Sequence, residues 1–189
     1  IAVTPAGVPW IAWVNSAGSV RVGHYVGAGA GTGCTSTSDW TCETVDTLAA
    51  GSTTATTSIA LDGSGTPWVT FSKTSANDLV VSQRSAGSGC SNASWTCSTL
   101  DSTGDVGKYG SLAFAPDGTP WISFYDATTG RLKVAMGTAG TGCDSAAWTC
   151  TTVDSSADVG KWSTGAVGSA GTAWVGVCET RNKAARVEQ

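Results

Sequence analysis

The sequence predicts an all-β chain: a β-propeller of four-stranded antiparallel blades, about four blades and 15 strands in all. Three observations predict it. Trp68, Trp121 and Trp174 lie 53 residues apart (121 − 68 and 174 − 121), and Cys90 to Cys143, Cys97 to Cys150 and Tyr109 to Trp162 repeat that interval. A fixed period of about 50 residues marks a solenoid, propeller or array. Within each period, short apolar runs alternate with Gly, Asp, Asn and Thr clusters, and no amphipathic-helix pattern interrupts them.

Blades are expected over residues 1–46, 55–101, 109–154 and 162–189. The first supplies strands at 1–4, 10–14, 20–26 and 40–45, and the second at 57–61, 68–72, 79–83 and 95–100. The third is the cleanest copy, with strands at 111–115, 121–125, 132–136 and 148–153. Its first turn is Pro116-Asp117-Gly118-Thr119 and its second ends on Gly130. Gly accepts positive φ, and Asp bonds back to its own backbone. The second strand, WISFY, is apolar on both faces, as expected of a strand between neighbouring sheets. The fourth copy supplies 164–167, 174–178 and 185–188, then stops before an outer strand. That omission leaves an open edge. The ring is therefore expected to be completed by a second copy or a missing segment, with a solitary four-blade ring as the alternative. The opening Ile1-Ala2-Val3-Thr4 reads as a mature or trimmed end.

Composition excludes several classes. Charged residues make up 13% of the 189, the net charge is −4 and the sequence pI is about 4.7, which argues against nucleic acid and anionic membrane surfaces. No apolar run is long enough to span a bilayer. Six of the seven cysteines fall into local pairs, Cys34/Cys42, Cys90/Cys97 and Cys143/Cys150, each ending in Trp-Thr-Cys. One pair per blade reads as a disulfide across each outer hairpin and implies an oxidising compartment, hence a secreted protein. Metal binding is the rival reading, but the spacing is not CxxC and only His24 stands by to assist, so neither metal nor cofactor is expected. Cys178 is left over, at the position of Val14, Ser72 and Tyr125; it is expected as a buried thiol, with an intermolecular disulfide as the alternative. Asn92-Ala93-Ser94 is an N-glycosylation sequon.

Two motifs are more specific. G-T-P-W-[IV]-[ST]-F stands at residues 65–71 and 118–124, followed by Tyr125-Asp126 in the third copy, and V-D-S-x-x-D-V-G-K-[YW] at 153–162 is matched at 100–109. Together they resemble the repeats of bacterial extracellular β-propeller proteins over nearly the whole chain. The resemblance implies the fold and carries no shared catalytic residues. The per-blade cysteine pairs depart from that pattern, as does the first junction, Asp46-Thr47-Leu48-Ala49-Ala50-Gly51, which lacks D-V-G-K. A sialidase-type Asp-box is rejected, because the Gly is displaced in both Asp62-Gly63-Ser64 and Asp117-Gly118-Thr119.

The junctions supply the candidate ligand-binding rim: Asp105, Lys108 and Tyr109, then Asp158, Lys161 and Trp162, with Asp101 and Asp154 beside them. Aromatic, Asp and Lys sets repeated around a rim suit stacking on sugar rings with hydrogen bonds to hydroxyls. The competing reading has the Asp side chains capping turns and the aromatics starting a strand inside the core. A Ca²⁺ site on Asp101/Asp105 or Asp154/Asp158 is disfavoured, because the loops lack carboxylate density. Trp10, Trp68, Trp121 and Trp174 share one strand position and are expected to pack blade on blade. Trp40, Trp95 and Trp148, each two residues before a half-cystine, are expected against the disulfides. Arg181, Lys183 and Arg186 read as a solvated turn and edge strand.

No Ser or Cys nucleophile with a local signature accompanies the lone His24, and the chain holds only Glu43, Glu179 and Glu188 as glutamates. The expected function is a secreted, non-catalytic binding or scaffolding module with a glycan or protein ligand, carbohydrate binding of a lectin-like kind. The alternative is a structural subunit of an extracellular assembly, and a glycoside hydrolase or lyase, needing facing carboxylates, comes last.

Overall fold

A computed structural model describes residues 1–35, 39–49, 55–156, 158–179 and 184–188, with side chains omitted from Cys178 onward. The described residues form fifteen strands in four antiparallel sheets and no helix. The first sheet is β1 (Ala2–Val3), β2 (Pro9–Val14), β3 (Ser19–Tyr25) and β4 (Trp40–Thr47). The second is β5 (Thr57–Leu61), β6 (Pro67–Lys73), β7 (Asp78–Gln83) and β8 (Thr96–Asp101). The third is β9 (Lys108–Phe114), β10 (Pro120–Asp126), β11 (Arg131–Met136) and β12 (Thr149–Asp154). The fourth holds β13 (Thr164–Val167), β14 (Ala173–Glu179) and β15 (Ala184–Glu188). Strands neighbour one another in chain order in every sheet, as two-fold alternation and short turns dictate.

The sheets stack in sequence along their first strands: β1 and β2 lie against β5, β5 and β6 against β9, and β9 and β10 against β13. Small and hydroxylic residues permit the close approach. Leu112 N donates to Ser58 Oγ at 3.1 Å, and one repeat later Gly165 N donates to Ser111 Oγ at 2.9 Å. Among the described residues no extensive contact joins the first sheet to the fourth, so these contacts close no ring.

Each interface is filled by alternate residues of facing sheets. Val20, Val22, Val45 and Trp10 meet Ile59, Val69, Phe71 and Trp95 between the first two sheets. Leu79, Val81 and Leu100 meet Leu112, Ile122, Phe124 and Trp148 between the next two. Full burial of one such side chain stabilises by about 1.5–3 kcal/mol. Trp10 is buried, Trp68 and Trp121 are partly buried, and Trp174 is 44% exposed. Packing of sheet on sheet thus holds for the first three indoles. Trp174 lies on the fourth sheet, and among the described residues no further sheet packs over it.

The staples form as expected: Cys34–Cys42, Cys90–Cys97 and Cys143–Cys150 are disulfides with Cα separations of 4.9, 5.0 and 4.9 Å. Three disulfides in a small all-β chain suggest an extracellular location. Trp95 and Trp148 are buried with their cystines against the preceding sheet. Cys178 lies in β14 and its thiol falls outside the described side chains, as does Arg186; Arg181 and Lys183 are outside the described residues. No described helix is long and apolar enough to cross a membrane.

Candidate functional site

The D-V-G-K junction explains itself residue by residue. Val106 and Val159 are fully buried plugs between sheets. Val106 N donates to Asn77 O at 2.9 Å and Val159 N to Gly130 O at 3.1 Å. Asn77 and Gly130 are equivalent turn residues with φ of 65° and 70°, the left-handed region that Asn and Gly tolerate best. The first junction lacks the motif but makes the same contact, because buried Leu48 donates its N–H to Gly18 O at 2.7 Å. Gly107 must be glycine: its φ is 82°, and an added Cβ would lie 2.6 Å from Leu79 Cα. The second-to-third-strand turns and the inter-sheet junctions therefore meet on one rim.

With Val and Gly committed to packing, the motif's Asp, Lys and aromatic positions reach the surface. Lys108 Nζ meets Asp105 at 2.5 Å, and Lys161 Nζ meets Asp158 at the same distance, each pair three residues apart. Tyr109 and Trp162 follow, both with left-handed backbone (φ 54° and 56°). Aromatic residues seldom occupy that region, which costs about 1–2 kcal/mol each. The conformation turns both rings together: their centroids lie 4.4 Å apart at 45°. The competing expectation of aromatics inside the core fails for Trp162, which is 66% exposed; Tyr109 is half-buried. They border an open cleft of about 240 Å³ with Thr56, Thr57, Gly110 and Ser163.

Tyr125 joins this cluster although the sequence marked it only as part of a core strand. Its ring is 6.1 Å from Tyr109, its hydroxyl donates to Asp158, and Lys161 Nζ sits 5.2 Å above its face. The available signal was a break in the repeat, since the equivalent positions hold Val14 and Ser72. Hydrogen bonds from Lys161 and then Tyr125 hold the Asp158 carboxyl below its ordinary range, against weak desolvation. Burial and then the Asp158 bond push the Tyr125 phenol up, while the Asp158 bond raises Lys161.

Other candidates separate from the site. Asp101 is 1% exposed and ion-pairs with Lys133 across a sheet interface, whereas Asp105 pairs with Lys108. Asp154 accepts from Ser156 N at 2.7 Å. Among the described residues no three His, Cys, Asp or Glu side chains converge as metal ligands. His24 stacks on Trp10, centroids 4.2 Å apart. Asn92 turns inward: its Nδ2 donates to Thr44 O at 2.6 Å, so the sequon side chain belongs to an interface. Asp62 ties its own turn by accepting from Ser64 N, Thr66 N and Trp68 Nε1.

No family model and no curated protein sequence matches the chain. Solved structures do, among them the crystal structure of AofleA from Arthrobotrys oligospora. The TM-score is 0.42 at 11% identity, over 93% of this chain and 50% of that one, so the chain spans half the length of its match. At that level the likeness assigns neither architecture nor activity.

Proposed function

We propose that this chain is a secreted, non-catalytic portion of a β-propeller that binds glycans on the Tyr109–Trp162 shelf. The observation that carries the reading is the pair of left-handed aromatics, one of them mostly exposed. Backbone strain at equivalent positions of two repeats persists only where something compensates, and such outliers cluster at functional sites. An exposed indole offers a flat apolar face to a sugar ring, while the Asp158–Lys161 pair offers polar partners for its hydroxyls. The stacking of successive sheets along their first strands supports a radial arrangement, and the repeat motifs support kinship with bacterial extracellular propellers. A cell-surface or periplasmic setting fits the three disulfides equally.

Titration against a glycan array, followed by calorimetry on the hits, tests the reading. Saturable binding that weakens in Trp162→Ala is expected. Blank arrays at high micromolar protein sink it. Catalysis stays outside the proposal because the junction carboxylates are engaged: Asp101 with Lys133, Asp105 with Lys108 and Asp158 with Lys161. Turnover of chromogenic glycosides that dies in Asp105→Asn or Asp158→Asn would restore the hydrolase reading.

A second reading, a structural subunit of an extracellular assembly, is favoured by one separate observation. The end sheets carry exposed apolar side chains, Ile1 and Val3 on the first and Trp174 on the last. Solution mass by light scattering, against 18.9 kDa for one chain, separates the two.

A further inference from the structure

Two sheets of this protein are covered on their outer halves in the same manner. The disulfide hairpin of the second sheet lies over the first: Trp95 packs in one cluster with Val22 and Val45, and Asn92 N donates to Val45 O at 3.4 Å. The hairpin of the third sheet lies over the second: Trp148 packs with Val81 and Leu100, and Asp144 N donates to Leu100 O at 2.8 Å. Under these covers Val45 and Leu100 have no exposed surface.

The third sheet presents the same surface, with Val134 in place of Val22 and Val81, and Val153 in place of Val45 and Leu100. Val153 is 39% exposed. The fourth sheet ends at β15 and supplies no staple hairpin among the described residues. What remains is an apolar groove of about 240 Å³ between the sheets, lined by Trp121, Val134, Thr151, Val153, Ala173 and Val175. Its outer wall is β14, next to the outermost strand β15.

We infer that this groove is a receptor for an added β-strand that ends a Trp-bearing disulfide hairpin, of the chemistry seen in Trp95/Cys97 and Trp148/Cys150. The strand pairs with the outer edge of β15 and extends the sheet to four, the added-strand mode of peptide recognition. Its indole enters the groove over Val134 and Val153, and its loop N–H meets the Val153 carbonyl, as Asn92 and Asp144 do at the two covered sheets. The two internal examples identify the occupant, because the same apolar surface is already matched twice by the same hairpin. The rim cleft plays no part, so glycan binding and strand binding stand or fall separately.

The probe is a synthetic peptide of residues 137–154 with its Cys143–Cys150 bridge closed, carrying a fluorescent label. Saturable binding to the 189-residue chain by anisotropy is expected. At least a tenfold loss is expected with Trp148→Ala in the peptide, and likewise with Val153→Asp or Thr151→Arg in the protein. Both protein variants alter exposed side chains, and an unchanged melting temperature certifies their fold. Failure to saturate by about 1 mM peptide overturns the inference, as does binding that both protein variants leave within twofold. Light scattering adds one more outcome: a dimer that Val153→Asp splits would make a second copy the occupant and overturn the hairpin assignment.

Discussion

Lys133 of the third sheet reaches back to Asp101 of the second and ion-pairs with it where the carboxylate is all but sealed from water. The same device recurs one interface earlier, with Lys73 Nζ 3.1 Å from Asp46. Removing one partner of a buried pair strands the other charge, at about 3–5 kcal/mol. Lys133→Met is therefore expected to destabilise by that order in urea unfolding. Lys73→Met is expected to cost less, because the Lys73 side chain is 30% exposed against 14% for Lys133.

Trp162 is held in a strained conformation with most of its surface in water, so stability alone gains little from it. Asn tolerates the left-handed region. Trp162→Asn is expected to melt at or above the wild-type temperature while glycan affinity falls about threefold to tenfold, the size of one aromatic stacking contribution. A clear drop in melting temperature would instead make the indole a structural element.

His24 is the chain's one histidine, so its titration can be read without interference. Burial, then the Arg84 charge, hold its pKa below 6.5, with Glu43 opposing. A lowered folded-state pKa means that the unfolded chain binds the proton more tightly. The stability His24 contributes is thus complete above pH 6.5 and is lost as pH falls through the folded value. Thermal melts across that interval should show the loss in wild type and not in His24→Gln, the residue at the equivalent position Gln83.

Asn92 spends its amide on Thr44 O and its backbone N–H on Val45 O. Asn92→Ala is expected to cost about 1–2 kcal/mol, the range for stranding a partly buried acceptor. Mass spectrometry of protein secreted from a glycosylating host is expected to find the sequon unmodified in the folded protein.

Much of the fold was legible because it rests on periodic residues. The 53-residue spacing of the tryptophans placed the second strands, and the paired cysteines placed the outer hairpins. The rim was legible only as composition: D-V-G-K-[YW] named its residues, but no pattern of residue types reports a φ of 56° at Trp162. Burial there follows from backbone twist, which local sequence does not encode. Tyr125 is buried, as an aromatic in an apolar strand predicts; what escaped is its hydroxyl, for which a neighbouring junction supplies the carboxylate of Asp158. Leu48 shows the converse, a motif absent while its contact persists.

The hairpins of the second and third sheets lean backward, each roofing the sheet that precedes it. Erosion of the array is consequently one-directional. Stripping a unit from the C-terminal side lifts the roof from the unit before it, whereas loss from the N-terminal side leaves every surviving roof in place. Stepwise truncants should betray that polarity as unequal penalties for deletions of equal length.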